Sequence, residues 1–210
     1  MHLLGCATGA TPLADVLSGV VAEKFASGSD LNIAAKLNPL YRYLRVDVAG
    51  RPSALLVLGY IDAHPQGEIE VWYSAKHEVI KTQYGRIVST SGLELDWRRV
   101  DFPVAPPDWA SVPRDGARYS RTRDVMPGHH DGIRDHIQVN AWLGTPPVAT
   151  LTGAQWFRED MLSTTAQPLP PAWYAMGRHS GQPAVVYSEQ CLSATFCLKL
   201  QHWPVQESAP

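Results

Sequence analysis

Alternation is the dominant pattern along this chain. Across residues 41–48, Leu44, Val46 and Val48 fall on one side and Arg45 and Asp47 on the other, the two-residue period of a half-buried strand. A Gly50-Arg51-Pro52 turn follows, and residues 54–61 then form a continuous apolar run, the pattern of a strand buried on both faces. Alternation returns over residues 68–74 through Ile69, Val71 and Tyr73. Residues 78–82 and 86–91 read as a hairpin around Gln83-Tyr84-Gly85. Residues 101–115 break the rhythm with Pro103, Pro106, Pro107 and Pro113, so they read as a crossover loop or a boundary between two halves.

A second β region is expected from residue 118 onward. Ile137, Val139 and Ala141 share a face over residues 136–141, and Thr145-Pro146-Pro147 is a turn. Residues 162–171 are polar and end in Pro, so they predict a loop. Residues 173–176 and 184–188 flank a long hairpin loop over 177–182, and residues 195–203 form the last strand, with Phe196, Leu198 and Leu200 on one face. Helical spacing is clear only over residues 11–25, where Leu13, Val16, Leu17, Val20 and Val21 line one face. Thr11 suits an N-cap, Pro12 the first helical position, and Gly28 a stop. Its polar face carries little positive charge, which favours packing on a sheet over lying on a membrane. The expected fold class is mainly β: an antiparallel barrel or sandwich with one N-terminal helix.

Composition narrows the function classes. The net charge is −2 and the basic residues are scattered, so no nucleic-acid footprint exists. No apolar run is long enough for a membrane-spanning helix. Seven Trp and eight Tyr against four Phe suit a β-rich protein with half-wet surfaces.

Chemistry is sparse. His129, His130 and Asp131, with Asp135 and His136 nearby, offer metal-ligand chemistry, but their spacing matches no familiar site and a solvated turn is the simpler reading. Cys191 and His179 have no local signature of a thiol–imidazole pair. Glu68, Glu70, Glu78 and Asp96 contain the raw material of a glycosidase dyad, yet charged residues are expected at the solvent-facing points of alternating strands. There is no Gly-x-Ser-x-Gly elbow and no phosphate-binding loop. The reading is therefore no catalytic residue, no metal and no cofactor. Trp72, Trp97, Trp109, Trp142, Trp156, Trp173 and Trp203 could offer flat faces to sugar rings, with core packing the more ordinary use of each.

The three cysteines divide in two. Cys191 and Cys197 flank a turn-like Leu192-Ser193-Ala194-Thr195 stretch, which would bring them within bridging range; one straight strand would hold them ~20 Å apart. Leu3-Leu4-Gly5-Cys6 resembles a lipobox, in which the cysteine takes a diacylglycerol, and small residues from Ala7 to Thr11 form a tether. Only Met1 and His2 precede the box, so the charged and apolar regions of a signal peptide would lie upstream.

A family resemblance runs through the strands. Asn38-Pro39-Leu40-Tyr41 through Ala54-Leu55-Leu56-Val57-Leu58-Gly59-Tyr60, then Trp72-Tyr73-Ser74-Ala75, then Tyr84-Gly85-Arg86-Ile87-Val88-Ser89-Thr90-Ser91-Gly92-Leu93, resembles the YjbF/GfcB (YmcC-like) lipoproteins. Trp173-Tyr174 and Ser188-Glu189-Gln190 with Leu192 resemble that family's closing segment. The resemblance implies a lipid-anchored, mainly-β protein of exopolysaccharide or group 4 capsule export. It implies no catalytic residues, lipidation of Cys6, and location at the periplasmic face of the outer membrane, since Ala7 rather than Asp follows Cys6. The partners implied are export components or glycan, and the membrane through the anchor. On this reading residues 1–11 are lipobox remnant and tether and residues 12–210 the β domain, with a sub-boundary near 101–115. A periplasmic carrier of a lipid-like ligand in a barrel cavity is the alternative, and a polysaccharide-active enzyme a third.

Overall fold

The structure, a computed structural model, describes residues 37–204. The expected helix over residues 11–25 and Cys6 lie outside them. The described chain holds twelve strands: β1 Tyr43–Val48, β2 Ala54–Asp62, β3 Ile69–Tyr73, β4 Val79–Gln83, β5 Arg86–Ser91, β6 Asp96–Asp101, β7 Ala117–Met126, β8 His130–Trp142, β9 Gln155–Thr164, β10 Ala172–His179, β11 Gln182–Cys191 and β12 Cys197–Trp203. A 3-10 turn, Trp109–Ser111, lies between β6 and β7.

All twelve belong to one antiparallel sheet in the order β5-β4-β3-β2-β1-β12-β11-β10-β9-β8-β7-β6. Each strand pairs with its chain neighbour except at one place, and β1 pairs with β12, the first and last strands of the described residues. The exception is β5 and β6, which are the sheet's two edges and lie side by side. The sheet is thus a nearly closed up-and-down barrel whose seam falls between two consecutive strands. Side chains bridge that seam. Asp96 accepts hydrogen bonds from the Thr90 hydroxyl at 2.9 Å and the Gly92 amide at 3.0 Å, and the Trp97 amide donates to Thr90 Oγ1 at 3.0 Å.

The expected antiparallel β fold is what forms, but three local expectations change. Residues 177–182 are not a long loop: β10 and β11 continue to His179 and Gln182, joined by a two-residue turn. Ser180 and Gly181 have φ of 50° and 78°, the left-handed values of the hairpin turn that matches strand twist. Residues 162–164 are strand, because Asp135 and His136 on β8 pair with Thr164 and Ser163. The strands β6 and β9, and most of β7, went unread, because their faces mix Arg, Asp and Glu with Trp and Val. Several of those charges point inward.

The interior is filled by one main cluster that includes Leu44, Leu56, Trp72, Ile87, Trp97, Ile137, Leu198 and Leu200. A second, around Val139, Phe157 and Tyr174, receives Trp109 from the 3-10 turn. The two longest connections, residues 102–116 and 143–154, lie at one end of the barrel together with the two-residue turns at 84–85 and 180–181, and the connections at the other end are seven residues or shorter. Chain entry at β1 and exit from β12 share the long-loop end. There, Gln66 Nε2 donates to Phe102 O at 3.0 Å and Trp109 Nε1 to Tyr84 O at 2.9 Å, so the loops brace one another.

Candidate functional site

Strand parity decides which polar side chains enter the barrel. Leu44, Val46 and Val48 point inward, so two positions before Leu44 the same face carries Arg42. Leu198 and Leu200 point inward, so that face continues to His202. Trp72 is inward, and Glu70 shares its side. These residues meet inside the long-loop end. Arg42 forms an ion pair with Glu70 through Nη2 and Oε1, and its guanidinium carbon lies 5.6 Å from the centre of the Trp72 ring. Glu70 Oε2 accepts from the Thr82 hydroxyl at 3.2 Å, and Trp72 Nε1 donates to that same hydroxyl oxygen at 3.1 Å. The His202 ring meets Trp72 edge-on at 5.6 Å and the His179 ring at 4.6 Å.

This cluster has an electrostatic signature. Burial, reinforced by His179 and Arg42, pushes the His202 imidazole down to about 3, so it is neutral at any physiological pH. Burial and Arg42 also lower His179, with Glu70 opposing them. Among the described residues, Arg42 Nε and His202 Nδ1 here, like Arg86 Nη1 and Nη2 and the Tyr119 hydroxyl deeper in the barrel, are buried polar atoms with no hydrogen-bond partner. The Arg42 and Glu70 side chains keep 35% and 24% of their exposure, whereas Trp72, Thr82 and His202 are buried.

Deeper in the barrel, charges pair with one another. Arg86 Nε donates to Glu159 Oε1 at 2.8 Å across the interior. The Arg86 guanidinium sits 3.8 Å from the Trp109 ring centre, with Tyr119 and Tyr174 also near, so ring faces support its charge. Burial acts against the charged form of Arg86, but Glu159 overrides it and raises the pKa. Burial alone would raise Asp135; Arg121, Arg123 and the Thr164 hydroxyl hold it low instead. A cavity of about 20 Å³, lined in part by Arg121, Glu159, Tyr174 and Gln190, has room for a water molecule.

On the outer face, Trp142 of β8 and Trp173 of β10 stack edge to face at 5.0 Å. Arg158 of β9 lies 5.7 Å and 5.3 Å from their ring centres and pairs with Asp160. Of the seven tryptophans, these two alone are half-exposed; Trp72, Trp97, Trp109, Trp156 and Trp203 are buried.

The residues singled out from sequence do not gather into one site. Asp135 is fully buried, whereas His136 faces outward against Ser120, and His129 lies in the β7–β8 turn at φ 51°. Among the described residues no group of three or more metal-ligating side chains assembles. His179 and Cys191 lie at opposite ends of the β10–β11 hairpin, about 30 Å apart at strand rise. Glu78 bonds the Ser74 hydroxyl and Asp96 bridges the seam, both at the short-loop end, while Glu68 and Glu70 belong to the other. Cys191 and Cys197 are joined by a disulfide, with Cα atoms 3.8 Å apart across the β11–β12 hairpin. Arg42, Arg86 and His202 were not singled out, although the parity of Leu44 and Leu200 already marked Arg42 and His202 as inward.

The family model described as group 4 capsule polysaccharide lipoprotein GfcB, YjbF, matches residues 33–152. Among solved structures, the hypothetical lipoprotein YmcC from Escherichia coli (K12) superposes with a TM-score of 0.67 at 18% identity, covering 94% of each chain. That likeness shows a shared fold. No curated protein matches the chain.

Proposed function

The chain belongs to the GfcB/YjbF family of group 4 capsule polysaccharide lipoproteins, and on that premise we propose that it is a non-catalytic accessory protein of capsule or exopolysaccharide export, lipid-anchored through Cys6. The observation that carries this reading is the family match over residues 33–152. Residues 1–11 then serve as anchor and tether, and residues 12–210 as the domain held at the periplasmic face of the outer membrane. Its partners are glycan or other export components. Two or three acyl chains on Cys6 hold the protein stably, since each buried CH₂ contributes about 0.8 kcal/mol and a lone myristoyl chain is marginal.

The interior speaks against the lipid-carrier reading. Side chains and paired charges fill the described barrel, and the cavity beside Arg121 is water-sized. The deep carboxylates Glu159 and Asp135 are each bound to arginine, which leaves them poor candidates for acid–base chemistry.

The test is expression behind a signal peptide, followed by cell fractionation. The wild-type protein is expected in the outer-membrane fraction and Cys6→Ser in the soluble periplasm. A soluble wild type, or a membrane-bound Cys6→Ser, refutes the anchor.

A further inference from the structure

We propose that the long-loop end of the barrel holds a sugar-binding site in which Arg42 and His202, both packed against Trp72, each bind a sugar hydroxyl group. The inference rests on the capsule-export reading and deepens it by placing the glycan contact inside the barrel mouth. Two observations carry it independently of the family. One is convergence: Arg42, Glu70, Thr82, His179 and His202 gather around Trp72, with Arg42 and Glu70 partly open to solvent and Thr82 and His202 buried behind them. The other is that His202, only 8% exposed, and Arg42 each keep a buried polar atom with no hydrogen-bond partner among the described residues. Burying such atoms unpaired is costly, so each calls for a partner such as a water or a ligand group.

The chemistry of the two atoms selects that partner. Arg42 Nε–H can only donate, whereas His202 Nδ1 accepts or donates according to tautomer. A hydroxyl both accepts and donates, so it satisfies Arg42 Nε–H, and His202 Nδ1 in either tautomer. A carboxylate or phosphate would lie against Glu70, and a cation against Arg42. An apolar group would leave both atoms unpaired. Glu70, Thr82 and His179 add further partners for neighbouring hydroxyls. Trp72 has no exposed face, so it forms the floor of the site and does not stack on the ring. Grip by polar side chains in a narrow mouth suits one edge of a neutral sugar residue.

The experiment follows the side-chain ¹⁵N signals of His202 and His179 in the full chain carrying Cys6→Ser, at pH 7. The probes are a partial hydrolysate of the source organism's own exopolysaccharide and maltohexaose. Saturable shifts of both imidazoles are expected with the hydrolysate. Arg42→Lys keeps a cation for Glu70 but removes Nε–H, and should weaken binding at least tenfold with an unchanged backbone amide spectrum. His202→Gln should do the same. Maltohexaose shifting the same signals extends the site to neutral glucans; failing to shift them while the hydrolysate does confines it to the native sugar, and both outcomes support the proposal. If the hydrolysate binds without moving either imidazole, and Arg42→Lys binds as wild type does, the glycan contact lies elsewhere and this site is refuted while the export role stands. If neither probe binds, the mouth holds water only and the proposal falls; Cys6 fractionation then judges the export reading separately.

Discussion

Arg86 shows how a single residue can organise a barrel. It sits at the start of β5, in a stretch that reads as the polar edge of a hairpin, yet it is almost wholly buried and reaches Glu159 on β9. Nearby, Gln190 accepts from the Ile87 amide at 2.9 Å and donates to Gly85 O at 2.8 Å, so β5 is tied to β11 as well. Removing one member of a buried pair strands the other charge. Arg86→Met is expected to lower unfolding stability by about 3–5 kcal/mol, and Arg86→Met with Glu159→Leu by clearly less. Urea unfolding of the two variants checks this. A loss under about 1 kcal/mol for the single variant would mean that the pair does not hold the interior together. Nothing local in Tyr84-Gly85-Arg86 signals the role, because Glu159 lies 73 residues away. Arg42 and His202 are different, since parity alone aimed them inward.

At the scale of elements, the β11–β12 hairpin is pinned three times. The Leu192 amide donates to Phe196 O at 2.8 Å, the Phe196 amide donates to Ser193 Oγ at 3.1 Å, and the disulfide joins the facing residues Cys191 and Cys197. Leu192 and Phe196 are buried, and Leu192 O accepts from Trp97 Nε1 at 3.0 Å, so this turn also supports β6 at the seam. Protein lacking Cys6, unfolded without reductant, is expected to show no free thiol; two thiols would refute the pairing. Because the loop closed is short, replacing both cysteines by Ser should cost only about 2 kcal/mol. The turn between the cysteines was legible from Leu192 to Thr195. The tight Ser180-Gly181 turn was not, because a six-residue run rich in Gly, Ser and Arg looks the same whether strands extend into it or stop before it.

For the whole molecule, the seam is the distinctive feature. Ten consecutive strand pairs and the β1–β12 pair are held by backbone ladders, whereas β5 and β6 meet through Thr90, Asp96 and Trp97. Asp96→Ala removes the carboxylate that binds the Thr90 hydroxyl and the Gly92 and Leu93 amides. It is expected to cost about 2 kcal/mol and to speed hydrogen exchange at the Trp97 amide before other core amides. An unchanged urea midpoint with unchanged Trp97 exchange would mean that the seam is held by other contacts. The strand β6 shows no simple in–out alternation because its ladder with β7 is irregular between Trp97 and Arg99, which leaves Arg98 and Arg99 both exposed.

By itself the sequence determined the antiparallel β class, the positions of most strands in the first half, the long break near residues 101–115 and the family. All of these rest on period-two patterning, proline and glycine placement, and the order of short motifs, which are local properties of the chain. Tertiary structure alone decided that the sheet curls until β1 meets β12, that β5 and β6 form the seam, and that Arg86, Glu159, Arg121, Arg123 and Asp135 are interior groups. It also decided that Glu70, expected at a solvent-facing point, serves as the partner of Arg42 beside His179 and His202. The physical reason is that a charge is stable inside only with its counter-charge beside it. For Arg121, Arg123 and Asp135 the neighbouring strand of the β7–β8 hairpin supplies it, but for Arg86 and Glu159 only the curvature of the closed sheet, which no short window of residues contains, brings the two together.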